Sequence, residues 1–110
     1  MTAAAFTGIG VFSKAVLGYF DWAEKSYRRI PVDEQVEVAA LTGDIALGPD
    51  DAPAVHAHVV LSRHDGSALA GHLLEARVRP TLEIVLTESP RHLHKQLDPE
   101  SGLALIRPEA

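Results

Sequence analysis

The chain has no cysteine, and aromatic residues make up only 5% of it, with a single tryptophan. Without thiols there are no disulfides and no thiolate zinc site, so any metal must be held by histidine and carboxylate. A cysteine-free composition fits a reducing compartment, and a cytoplasmic protein is expected. Positive charge is also scarce, with ten Lys and Arg against fifteen Asp and Glu and a formal net charge of -5. Such a balance argues against gripping nucleic acid by bulk electrostatics, although it leaves room for a local basic patch. Long apolar runs are missing too. The opening "MTAAAFTGIGVFSKAVLGYF" is interrupted by Gly8, Gly10, Ser13, Lys14 and Gly18. It falls short of the ~18–20 apolar residues of a membrane span. No basic segment precedes its apolar stretch, as a signal peptide would require. A soluble chain with no membrane partner is expected.

What is present is apolar and patterned for strands. The 110 residues are 46% hydrophobic, enough for one domain with a packed core. A domain of this size keeps much surface relative to its volume, and oligomerisation is a common remedy. Strand-like runs occur at Ala4–Phe12, Ala15–Trp22, "SYRRI", Val36–Leu47 (with Gly43 as a bulge or bend), on both sides of "RHDGS", and at Pro80–Ser89. The second and third of these read as a hairpin. "GPDDAP" is a loop by composition. Arg91 to Leu97 could form one or two helical turns, with Ser89 as N-cap and Pro90 at the first helical position. "GLALI" could add a short last strand. The sum is a mostly β, α+β chain with about seven short antiparallel strands and little helix. No long amphipathic helix is available as a cover, so either the sheet closes on itself or a partner subunit supplies the second layer.

Four of the six histidines lie in "AVHAHVVLSRHDGSALAGHLLEARV". His56 and His58 share one strand face, while Val55, Ala57, Val59 and Leu61 point to the other, toward the core. The position of His72 depends on the turn. A two-residue turn at Asp65-Gly66 pairs residues whose numbers sum to 131 and sends His72 to the opposite face. A three-residue loop, His64-Asp65-Gly66, pairs residues summing to 130 and sets His58 directly opposite His72. Gly66 suits the left-handed position that ends such a loop. In that register three imidazoles converge and can hold a divalent cation, zinc being the first candidate, with open positions left. His64 is read as a turn residue, and His92 and His94 as solvated or helix-end residues. Glu83 and Glu75 are candidates for a fourth ligand, or for a base acting on a metal-bound water. Glu37 is read as structural, and Gly8–Gly10 as tight sheet packing. Arg28, Arg29 and Arg91 mark the basic clusters, with weak phosphate contact as their functional reading.

The Leu-Thr-Gly at Leu41–Gly43, the H-x-H at His56–His58, the Gly-His-Leu-Leu at Gly71–Leu74 and the Thr-Leu-Glu at Thr81–Glu83 together resemble the plants-and-prokaryotes conserved domain, called PPC or PCC. The resemblance runs from about Ala4 to Glu88. It implies an antiparallel sheet of about seven strands with flanking helices, assembling as a homotrimer. It also implies metal at His56, His58 and His72. Single-domain members carry a DNA-binding label. Plant members use an AT-hook for DNA, and no Arg-Gly-Arg-Pro core of one occurs here. Family members usually have a strand and a helix before the segment matching "AAAFTGIG", and the chain reads as one domain, 1–110, without them. Ala70-Gly71 stands where two glycines are common.

The function expected on these grounds is a DNA-binding or regulatory homotrimer with a three-histidine metal site. The alternative is a metal-dependent enzyme using the same histidines with Glu83 or Glu75 as base. Its cupin-like variant is weakened because no Glu follows the H-x-H closely. A third reading is a structural trimer whose histidines only hydrogen-bond.

Overall fold

Alternating apolar and polar side chains carry the chain through β1 (Ala3–Asp21), β2 (Ser26–Val32), β3 (Val36–Leu47), β4 (Pro53–Ser62), β5 (Ala68–Glu88), β6 (Lys95–Leu97) and β7 (Ala104–Ile106). The computed structural model describes residues 3–88 and 94–106. Five strands form one antiparallel sheet in the order β2-β1-β3-β4-β5, and β6 and β7 form a separate hairpin. This corrects the expectation of a single sheet of about seven strands with flanking helices, for no helix occurs among the described residues. The helical turns expected over Arg91–Leu97 are also corrected in part, because Lys95–Leu97 is a strand. Ser89, Pro90 and Arg91 lie outside the described residues. Among the described residues no helix is long and apolar enough to cross a membrane.

Two pairs of expected strands are fused. Ala4–Phe12 and all of Ala15–Trp22 but Trp22, which opens the turn, belong to the 19-residue β1. The run at Pro80 continues the 21-residue β5 without a break. Pro80 is tolerated because the β1–β5 register shifts between Gly10↔Leu82 and Phe12↔Val78, so the proline falls in an irregular stretch that needs no ladder bond from it.

β1 organises the sheet. Residues 3–12 pair with β3, residues 15–21 pair with β2, and β5 runs along the other edge. β5 also pairs with β4 through Ala68–His72. The sheet therefore closes on itself at one end, which supplies part of the missing cover. Beyond His72, β5 pairs only with β1 among the described residues, and its outer edge is open. Phe12, Leu17, Val36 and Leu61 are the large apolar side chains buried inside the curl. Each contributes ~1.5–3 kcal/mol by burial. Ala57, Val59 and Leu61 face this core as their alternation predicts, whereas Val55, at the strand's start, is exposed.

Glycine permits the closure. A Cβ on Gly10 would strike the Thr81 carbonyl and stand 2.7 Å from Leu82 Cα. This is the tight packing expected of "GIG". Gly43 is not a bulge. The β3–β4 shift lies between Val38 and Ala40, and Gly43 instead lets the His56 carbonyl approach.

Gly10→Ala is expected to destabilise the fold by ~1–3 kcal/mol, since backbone and not a movable side chain blocks the new methyl. Gly48→Ala, whose methyl would stand 3.1 Å from the Asp50 carboxylate and at ordinary contact distances of 3.4 Å from the Ala52 carbonyl and 3.7 Å from Ala54 Cβ, is the control. Equal urea midpoints for the two variants would contradict the closure.

Candidate metal centre

The three-residue loop is the turn the chain adopts. Arg63 N donates to Ser67 O at 2.8 Å, and Gly66 N donates to Arg63 O at 2.9 Å. Gly66 has a φ of 86°, in the left-handed region that favours glycine. Asp65 Oδ1 accepts from Ser67 N at 2.9 Å and from Ser67 Oγ at 2.6 Å, which stiffens the loop. The resulting ladder pairs Ser62 with Ala68 and His58 with His72.

Three imidazoles meet on the face opposite the core. Ring centroids stand 5.1 Å apart for His56–His58, 5.0 Å for His56–His72 and 5.4 Å for His58–His72. One nitrogen from each ring lies within 4.8 Å of the others. Nitrogens bound to one zinc at ~2.0–2.1 Å stand roughly 3.3 Å apart, so small side-chain rotations close the gap. His72 Nδ1 is buried and makes no hydrogen bond. An unpartnered imidazole nitrogen beside two others is a donor set that suits a borderline divalent cation.

Neighbouring strands position the rings. Gly18 pairs with His72 across the β1–β5 ladder, and a Cβ there would come 2.9 Å from Tyr27 Cδ1. The space lets Tyr27 stack on His72 at 4.5 Å and 20° between planes. Asp44 on β3 pairs with His56, and Thr42 with His58. The Lys95 ammonium, from β6, stands 3.6 Å from Asp44 Oδ1. Sequence reasoning missed Tyr27, Asp44 and Lys95. Asp44 was within reach, since pairing Leu47 with Pro53 around the Gly48 loop fixes its partner as His56. Nothing in the local pattern announces Lys95.

The two glutamates proposed as a fourth ligand or base have other neighbours in the fold. Glu75 forms an exposed ion pair with Arg29 at 2.8 Å. Glu83 pairs with Ile9 far along β5, in an outer groove with Thr7, Ala39 and Val85. Of the arginines, Arg28 lies 5.8 Å over the Tyr19 ring, Arg29 is held by Glu75, and Arg91 is outside the described residues. His64 is in the turn. His94 departs from its expected solvated role, because its Nε2 donates to the Gly48 carbonyl at 3.0 Å and stands 3.2 Å from Asp51 Oδ1. His92 lies outside the described residues.

Burial lowers the His72 pKa to about 4, helped by His56, His58 and Lys95. Burial, then Lys95, also lowers that of His56, with Asp44 opposing. Both shifts favour the neutral imidazole that a metal needs. An unfolded histidine titrates near 6.5, so between about 6.5 and about 4 the unfolded chain binds more protons than the folded one. Stability from neutral His72 is therefore present above that window and lost as pH falls through it. Urea midpoints of metal-free protein should decline from pH 7 to pH 4, and less steeply in His72→Gln. Parallel pH profiles would contradict this assignment.

The chain is similar to known proteins in sequence and in fold. The Plants and Prokaryotes Conserved (PCC) domain model matches residues 1–90. No curated protein matches. Among solved structures, a plant- and prokaryote-conserved (PPC) protein from Pyrococcus horikoshii is 34% identical, with a TM-score of 0.90 over 97% of this chain and 73% of its own. A metal-containing protein from Archaeoglobus fulgidus is 33% identical, with a TM-score of 0.86 over 97% of this chain and 75% of its own. A candidate DNA-binding protein from Ralstonia eutropha JMP134 is 32% identical, with a TM-score of 0.87 over 96% of this chain and 72% of its own. The chain belongs to the Plants and Prokaryotes Conserved domain family.

Proposed function

We propose that the chain is a cytoplasmic, metal-binding regulatory module that works as a homotrimer. The observation that carries the metal is the convergence of three imidazole nitrogens within 4.8 Å on neighbouring strands. His56, His58 and His72 would hold a divalent ion, with zinc as first choice for an all-nitrogen donor set. A bound ion would cross-link β4 to β5 and offer a Lewis-acidic open position. The Archaeoglobus relative, described as metal-containing, supports the same reading.

The trimer is supported by the open edge of β5. Val78, Ile84, Val85 and Leu86 are 42–70% exposed there, and Ile9 beside them on β1 is 60% exposed. An unpaired edge flanked by apolar side chains invites pairing and is normally covered. Glutamate-assisted catalysis at the histidines is not favoured, given where Glu75 and Glu83 stand. DNA contact rests on how relatives are described. With a net charge of -5 it would involve few phosphates.

Native mass spectrometry tests the two main parts together. The expected species is a trimer with about one divalent ion per chain. His56→Ala should lose the ion, and Ile9→Lys with Val85→Lys should yield monomers. A metal-free trimer would overturn the metal reading, and a metal-bearing monomer would overturn the assembly. Fluorescence anisotropy with duplex DNA should show at most a weak association that salt abolishes. Tight, sequence-dependent binding at ~150 mM salt would contradict the expected small number of phosphate contacts.

A further inference from the structure

The C-terminal hairpin carries a charge to the histidine centre that the metal reading does not use. A parallel bridge, Leu47↔His94, joins it to the end of β3. His94 Nε2 donates to the Gly48 carbonyl, and the Lys25 ammonium donates to the Glu100 carbonyl on the hairpin's other side. So fastened, the hairpin buries Lys95, which is 5% exposed, with its ammonium 3.6 Å from Asp44 Oδ1. That oxygen is buried too and accepts no hydrogen bond among the described residues, so the Lys95 charge is what neutralises it.

Asp44 is also the cross-strand partner of His56, on the face where the imidazoles meet. Directly opposed Cβ atoms stand ~4.5–5.5 Å apart, which puts a carboxylate one strand away from a candidate metal ligand. Carboxylate oxygen is an ordinary zinc ligand. A fourth protein ligand closes a zinc site, and a site with three keeps a position open. Yet the ligand atoms that converge within 4.8 Å belong to the three histidines, and the Asp44 carboxylate stands outside them. Charge gives the reason. A buried ion stripped of its partner is strongly unfavourable. If Asp44 turned to the cation, Lys95 would become an unpaired buried ammonium beside a divalent ion. Beyond the effect of burial, the Lys95 charge acts on both His56 and His72, and the Asp44 charge acts on His56, so the pair lies within electrostatic reach of the centre.

Resting on the metal reading above, we propose that Lys95 keeps the histidine centre open by holding in an ion pair the carboxylate, Asp44, that would otherwise become its fourth ligand. Asp44 is then a withheld metal ligand, and Lys95 is the residue that positions it. The β6–β7 hairpin thereby sets the coordination of a centre built on β4 and β5. A pair that merely tied the hairpin to β3 would change stability and leave the metal's ligands as they are.

The test compares full-length wild type with Lys95→Met, each loaded with zinc, with folding checked by circular dichroism and zinc content measured. Lys95→Met should bind zinc at least about tenfold tighter in competition with a chelating indicator. Its zinc-loaded crystal structure should place an Asp44 oxygen ~2.0–2.2 Å from the metal. In the zinc-loaded wild type Asp44 should remain paired with Lys95. Lys95→Arg, which keeps the pair, should match the wild type, and Asp44→Asn added to Lys95→Met should abolish the gain in affinity. If metal-free Lys95→Met does not fold, it is refolded with zinc present, and the metal's ligands are read from that sample. Asp44 bound to zinc in the wild type overturns the proposal, as does Asp44 off the metal in Lys95→Met. A gain in affinity that survives in the double variant overturns it too. So does a Lys95→Met chain that cannot fold even with zinc, for the metal would then be no substitute partner for Asp44. A wild-type chain that retains no zinc sinks the metal reading and this inference with it. A zinc-loaded chain whose affinity and ligands ignore Lys95→Met sinks this inference alone.

Discussion

The pairing of β4 with β5 is the constraint on which the histidine centre depends. It is set at the His64–Gly66 loop, where Gly66 takes a φ of 86° and Asp65 Oδ1 holds both the amide and the hydroxyl of Ser67. A strand has a side-chain period of two, so a slip of one residue would turn His72 to the core face and bring Leu73 opposite His58. The imidazoles would then separate, and an apolar side chain would face solvent. The same ladder joins β5 to the end of β4 and so closes the sheet. Fold closure and site assembly are thus one event, decided by one turn.

Small residues let that closure proceed. Gly10 admits the backbone of β5 beside β1, Gly43 admits β4 beside β3, and Gly18 leaves the space in which Tyr27 covers His72. These approaches serve different ends. The first two bury the core around Phe12 and Leu61, and the third fixes the orientation of a histidine on the other face. What they do not cover is the outer half of β5, where apolar side chains flank an edge with no ladder partner among the described residues.

Much of this was legible in the sequence because it follows from local rules. The strand period gave the shared face of His56 and His58, and Gly66 selected the register that adds His72. The Leu-Thr-Gly, His-x-His and Gly-His-Leu-Leu segments carried the family. The errors have physical causes. Ser13-Lys14 and Pro80 read as interruptions, yet irregular register along β1 and β5 absorbs them. Glu83 alternates as if to face the histidines, but strand alternation fixes a face and says nothing of distance along the strand. It is eleven residues beyond His72, roughly 35 Å of extended chain. Lys95 was hidden because it reaches the site from a hairpin distant in sequence, and Tyr27 because its contact with His72 depends on the absence of a side chain at Gly18.

The central claim is that His56, His58 and His72 together form one metal centre. X-ray absorption at the zinc edge of zinc-loaded protein tests it most directly. The account predicts a first shell with three imidazole nitrogens at ~2.0–2.1 Å, with the outer-shell scattering of their rings. In His72→Ala the imidazole count should fall to two. A shell of oxygens alone, or a spectrum unchanged by that substitution, would contradict it.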